Sequence, residues 1–86
     1  MIKQQRIIRK PEVLHRMGFT RSVLQCRIQQ LVFVPPVSLG GDRAVGWVSS
    51  EVDKVMDAYI AELSKPEIKA LVAELITQRK STLTEG

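Results

Sequence analysis

One cysteine, one histidine and four aromatic residues are all that this 86-residue chain holds of the side chains most used for cross-linking, metal binding and ring stacking. With Cys26 alone there can be no internal disulfide, and Cys26 and His15 fall short of a zinc ligand set, so neither a metal nor another cofactor is expected. So few aromatics mean that the core must be mostly aliphatic. No run approaches the roughly 20 consecutive apolar residues of a spanning helix, and the first residues lack the apolar block of a secretory leader. A soluble, cytoplasmic protein with no membrane attachment is therefore expected. The length suits one compact domain with a small core and is too short for two. Gly40-Gly41 matches neither a P-loop nor a dinucleotide fingerprint. His15 has no recognisable triad partner, and the carboxylates read as solvated groups on exposed helix faces. An enzyme is not expected.

Charge is present, and it is uneven. Residues 1–50 hold eight Lys or Arg against two acidic groups, whereas residues 51–86 hold five against seven. A basic half in a small domain favours a polyanionic partner approached from one side.

The chain opens with Lys3, Arg6, Arg9 and Lys10 around Ile7-Ile8, which reads as an exposed arm followed by a short extended segment. Pro11 and Glu12 suit the first turn of a brief helix whose inward stripe is Val13, Leu14 and Met17. Gly18 falls where a left-handed cap would end it, and Phe19 can fold back onto the apolar stripe. Thr20 follows at once as an N-cap, so a second short helix starts after about three residues, the spacing of a helix-turn-helix. In this second helix, Thr20 to Gln29, Leu24 and Ile28 face inward, while Arg21, Ser22, Gln25 and Gln29 face outward. Arg and Gln can pair with guanine and adenine edges, and Ser or Thr at a helix start can meet phosphate. Arg27 lies between the faces, able to reach phosphate or to fold along the body. Cys26 reads as a small packing or boundary residue.

Two prolines in Leu31 to Pro36 stop the helix. Val37 to Leu39 and Ala44 to Val48 then read as a two-stranded hairpin around Gly40-Gly41-Asp42, with Arg43 at the tip of a wing. Trp47 should anchor the hairpin on the helices. Ser49 or Ser50 is expected to cap a third helix, with Glu51 and Asp53 in its first turn and Val52, Val55, Met56, Tyr59, Ile60 and Leu63 as its apolar stripe. Ser64 to Glu67 matches a capping box with Pro66 in the first turn. Ile68, Leu71, Val72, Leu75 and Ile76 mark a last amphipathic helix ending near Lys80, before a frayed tail from Ser81 to Gly86. This helix could pack on its own domain or on another copy.

The run R-I-I-R-K-P-E-V-L-H-R-M-G-F-T-R-S, the later P-V-S-L-G, and R-A-V-G-W-V-S-S-E-V-D resemble the AlpA family of phage-derived regulators. The similarity covers roughly Arg6 to Ile60, and the R-A-V-G-W block leading straight into S-E-V-D is its most specific part. The resemblance implies a mainly α fold with a small two-stranded hairpin, a winged helix-turn-helix related to excisionases and the MerR group, plus an extra C-terminal helix. It places Thr20, Arg21, Ser22 and Gln25 on a recognition helix and Gly41 to Arg43 on the wing. The family usually carries an aromatic followed by arginine where this chain has Gln25 and Cys26, and glycine and proline where it has Leu31 and Val34.

Residues 1–63 are thus expected to form the DNA-binding unit, and residues 64–86 a helix for packing or oligomerisation. Arg21, Ser22, Gln25 and Gln29 would read the major groove, with Thr20 at the helix start. Lys10, Arg27, Gly41 and Arg43 would meet phosphates. The implied role is control of an integrase gene or promotion of prophage excision as a recombination directionality factor. The partners would be double-stranded DNA at a promoter or attachment site, further copies of the chain and an integrase. The competing class is a protein-interaction adaptor that docks or dimerises through the last two helices.

Overall fold

The structure, a computed structural model, describes residues 6–41 and 44–85. Its elements are β1 (Ile7–Ile8), α1 (Lys10–Met17), α2 (Arg21–Gln29), β2 (Val37–Ser38), β3 (Val45–Val48), α3 (Ser49–Ile60) and α4 (Lys65–Glu85). Pro11 lies in the first turn of α1, and Gly18 ends the helix at φ 70° with its N–H on the Leu14 carbonyl. Phe19 N–H bonds the same carbonyl at 3.1 Å. This left-handed turn reverses the chain in two residues, so Thr20 can start α2 immediately. The Thr20 hydroxyl accepts a hydrogen bond from Val23 N–H at 3.2 Å, as a capping threonine should.

The expected hairpin forms: β2 pairs antiparallel with β3, Val37 opposite Gly46 and Ser38 opposite Val45. It is not, however, a two-stranded unit. The extended Ile7-Ile8 segment pairs antiparallel with the other edge of β3, Ile7 opposite Val48 and Ile8 opposite Trp47, giving a three-stranded sheet of order β1-β3-β2. Gly46 allows it. A Cβ there would lie 2.5 Å from Ile7 Cγ2 and 3.1 Å from the Ile8 carbonyl oxygen, so only glycine lets β1 come this close.

The expected serine cap of α3 is absent. Val48 occupies that position with extended dihedrals and no side-chain cap, because it is still paired in the sheet when the helix begins. Ser49 N–H, one of the four amides at the helix start without an intrahelical partner, donates to the Arg6 carbonyl at 2.7 Å, which extends the β1 pairing. The Ser49 hydroxyl instead accepts from Arg16 Nη1 at 3.2 Å.

Among the described residues, thirteen buried apolar side chains form one core, drawn from β1, α1, α2, the connector Val32–Phe33–Val34, β3, α3 and α4. Trp47 and Phe33 are its largest members, and Trp47 Nε1 donates to the Val34 carbonyl at 3.0 Å, so the indole is buried with its one polar atom satisfied. The stripe of α3 differs from the expected one: Val52, Val55 and Ala58 are buried, whereas Ile60 is 71% exposed. Ile60 lies about 140° round the helix from Val55. The chain then turns through Glu62 at φ 57°.

The Ser64–Glu67 capping box is present in both directions, Ser64 N–H to Glu67 Oε1 at 2.9 Å and Glu67 N–H to Ser64 Oγ at 3.4 Å. Hydrogen bonding from Ser64 to the carboxyl, by its backbone N–H first and its side chain second, holds Glu67 below the usual carboxylate range. The last helix does not stop near Lys80 but continues to Glu85. Ile68, Val72 and Leu75 bury themselves in the common core. One carboxylate departs from the expected solvated pattern. Glu51 is buried, because it falls on the same face of α3 as Val52, Val55 and Ala58, and Arg79 of α4 pairs with it at 2.6 Å.

Candidate nucleic-acid interface

The elements α1 and α2, the short turn between them and the hairpin β2–β3 make a winged helix-turn-helix in which α2 is the second helix. Leu24 is buried and Ile28 half-buried, which fixes α2 by its inner face. Successive helical positions advance by about 100°, so Arg21, Ser22, Gln25 and Gln29 fall within about 100° of one another on the outer side. All four are exposed. None of their side chains makes a hydrogen bond or ion pair within the described residues. Thr20 differs from them, since its hydroxyl is engaged in capping. Cys26 is exposed on the same outer side rather than packed, and its Sγ accepts from Gln30 Nε2 at 3.4 Å.

The cations sort into two groups. Arg6 pairs with Glu12 at 3.0 Å, and Arg16 bridges Glu12 at 2.8 Å and Asp53 at 3.4 Å, so these two are neutralised locally. Arg9, Lys10, Arg21 and Arg27 have no carboxylate partner among the described residues. Arg9 donates to the Val45 carbonyl at 3.2 Å, linking β1 to the wing. Lys10 stands exposed at the start of α1.

Arg27 takes the path along the body. Its guanidinium carbon lies 5.8 Å from the Phe19 ring centre and 5.9 Å from that of Tyr59. Stacking of this kind holds the guanidinium plane and leaves its N–H rim exposed. The Tyr59 hydroxyl donates to the Val32 carbonyl. Burial raises the Tyr59 pKa above the ordinary tyrosine value, and the Arg27 charge opposes part of that rise.

At the wing, Leu39 N–H donates to the Ala44 carbonyl at 2.7 Å and Gly40 takes φ 92°. Gly41 is exposed. Arg43, expected at the tip, lies outside the described residues. The path into the wing begins at Leu31, where the family usually has glycine. Leu31 stands at φ 65°, with its N–H on the Ile28 carbonyl and Val32 N–H on that of Arg27. These two bonds form a Schellman end for α2, a position suited to glycine that is here filled by leucine. Sequence reasoning missed the Glu51–Arg79 pair and the sheet role of Ile7-Ile8. The E-V-x-x-V spacing that puts Glu51 on a buried face was the available signal for the first.

Among the described residues no cluster of three or more His, Cys, Asp or Glu could hold a metal, and no helix is long and apolar enough to cross a membrane. The arrangement is suited to presenting hydrogen-bonding side chains on a supported helix.

The model of the family described as prophage CP4-57 regulatory protein (AlpA) matches residues 6–60. An uncharacterized protein of Enterobacteria phage P4, ORF88, is 45% identical over 60 residues, which cover 70% of this chain and 67% of that protein. No solved structure matches the chain.

Proposed function

Because this chain belongs to the AlpA family of phage regulatory proteins, we propose that it is a sequence-specific DNA-binding regulator of a mobile element. It controls an integrase gene or promotes excision as a recombination directionality factor. The observation that carries this reading is the outer side of α2, where the side chains of Arg21, Ser22, Gln25 and Gln29 are exposed and make no bond to the other described residues. Polar side chains without internal partners on a braced helix lose little internal bonding when they turn to base edges. Arg21 and Gln25 read bases, with Ser22 and Gln29 beside them and Thr20 setting the helix start. Lys10, Arg27 and Arg43 hold phosphates, and Gly41 lets the wing backbone approach closely. Each good bidentate base contact contributes about 1–3 kcal/mol of discrimination. One small domain supplies few of these, so several copies act together on repeated or inverted sites, with an integrase as the further partner.

The test compares Arg21→Ala and Gln25→Ala with the unaltered protein on a specific and a random duplex, the specific site being found by footprinting the gene's own flanking DNA. Preference for the specific duplex should fall in both variants; full retention removes α2 from the reading role. Lys10→Ala should weaken binding to both duplexes alike and make the salt dependence shallower by about one unit. Protection at a promoter alone points to transcriptional control, and protection beside an attachment core points to excision.

Ile60, 71% exposed at the end of α3, and Leu63, 38% exposed just beyond it, favour a second reading in which the last two helices dock a protein partner. Under that reading no duplex is retarded at physiological salt.

A further inference from the structure

The segment between α2 and the wing is held by side chains rather than by backbone pairing. Pro35 and Pro36 have no N–H and cannot donate to a ladder, so the direction in which the chain enters β2 is not set by the sheet. Three carbonyls of this segment accept hydrogen bonds from three different elements. Val32 accepts from the Tyr59 hydroxyl of α3, Val34 from Trp47 Nε1 of β3 at 3.0 Å, and Pro35 from Arg79 Nη2 of α4 at 2.8 Å. Pro35 is the last of the three, two residues before Val37 begins the wing.

Arg79 differs from the other two donors. It lies beyond the residues matched by the family, 6–60, and comes from the far end of the chain. Its own position is dictated by Glu51, the one buried charged residue among those described. Arg79 Nε meets Glu51 Oε2 at 2.9 Å and Nη2 meets Oε1 at 2.6 Å. A forked pair of this kind fixes the guanidinium plane, and Arg79 cannot swing away without leaving a buried carboxylate unpaired. The same Nη2 that completes the fork grips Pro35.

We propose that Arg79 is a positioning residue for DNA binding: oriented by Glu51, it holds the root of the wing through the Pro35 carbonyl, so that α4 sets the wing's angle relative to α2. This rests on the reading that α2 and the wing engage one duplex together. It gives the C-terminal helix a task inside the DNA-binding unit, that of keeping the two contact elements at the spacing of one duplex.

The test uses the full chain in two variants. Glu51→Met with Arg79→Met removes both charges, so no carboxylate is left unpaired, and it deletes the bond to Pro35. Arg79→Lys keeps the charge, but its single nitrogen cannot pair twice with Glu51 and reach Pro35 as well. Backbone amide exchange is followed in the free protein, and duplex affinity is measured against salt. In the double variant, amides of residues 37–48 should exchange at least about tenfold faster while those of α1 and α2 keep their rates. Affinity should fall alike for specific and random duplexes, with a salt slope shallower by about one. Arg79→Lys should lie between, and it carries both readouts should the double variant not fold.

The proposal is overturned when exchange in 37–48 is unchanged, or rises only in step with every other amide, since a pair that merely stabilises the fold speeds all of them together. Failure of the unaltered protein to bind any duplex would remove the DNA-binding reading and with it the positioning role, whereas a wing-specific rise in exchange would still establish the clamp.

Discussion

Replacing Gly46 with alanine puts a methyl carbon 2.5 Å from Ile7 Cγ2 and 3.1 Å from the Ile8 carbonyl oxygen. Carbon atoms in contact prefer about 3.5–4.0 Å, so one of the two must move by about 1 Å. The Ile7 side chain is 41% exposed and can be pushed outward, but the Ile8 oxygen belongs to the backbone of β1 and moves only with the strand. Overpacking of this kind costs about 1–3 kcal/mol, and alanine recovers about 0.5–1 kcal/mol of unfolded-state entropy relative to glycine. The net expectation is a loss of about 1–2 kcal/mol. For a domain of this size each kcal/mol lowers Tm by about 4–8 °C. Thermal and urea melts followed by far-UV circular dichroism, and by the fluorescence of the single Trp47 beside Gly46, measure it. Ile7→Ala removes Cγ2, so in a double-mutant cycle it should recover part of the loss, with a coupling of about 0.5–1.5 kcal/mol, the remainder reflecting the Ile8 oxygen. A Gly46→Ala protein as stable as the original, or no coupling to Ile7, refutes the close approach of β1 and with it the third strand.

The other predictions concern single groups. Glu62 is exposed at φ 57°, so Glu62→Gly relieves a left-handed side chain at no burial cost and should raise stability by about 0.5–1 kcal/mol in a urea melt, whereas Glu62→Ala should leave it unchanged. Tyr59 is the only tyrosine, so an ultraviolet pH titration reports it alone. Its midpoint should lie above the ordinary tyrosine value, and the associated stability, fully present below the unfolded pKa, should be lost as pH rises through the folded one. For Glu67 the sign is opposite. Its folded pKa is lowered by the bonds to Ser64, so the capping contribution is present above the ordinary carboxylate pKa and is lost as pH falls through the depressed folded value. Ser64→Ala keeps the backbone N–H and removes only the side-chain contribution, so the Glu67 titration seen by NMR should move part of the way back toward the ordinary value, and an unmoved titration contradicts the side-chain part of the capping box.

Local signals carried the helices and the wing because each depends on neighbours within a few residues. Thr20 caps α2, Gly18 ends α1, Ser64 and Glu67 open α4, and the Gly40-Gly41 turn joins the hairpin, all from side-chain chemistry and φ requirements that a short window displays. The outward set Arg21, Ser22, Gln25 and Gln29 followed from helical spacing alone. What stayed hidden rests on partners distant in the chain. Ile7-Ile8 reads as a short extended segment without a partner until β3, about 40 residues later, offers it an edge, and that pairing also explains why Ser49 caps nothing. Glu51 looks solvated until Arg79 arrives from α4, and the choice left open for Arg27 falls to the body because Phe19 and Tyr59 provide a surface for it.

The amino-acid sequence by itself determined the order and type of the helices, the hairpin, the basic half and the family, since periodicity, capping and turn chemistry act locally. Only the tertiary structure decided which polar groups remain open to a partner. An arginine such as Arg16 or Arg79 is committed to a carboxylate, and one such as Arg21 is not, according to which acceptors the fold brings within reach. Sequence spacing carries no record of that proximity.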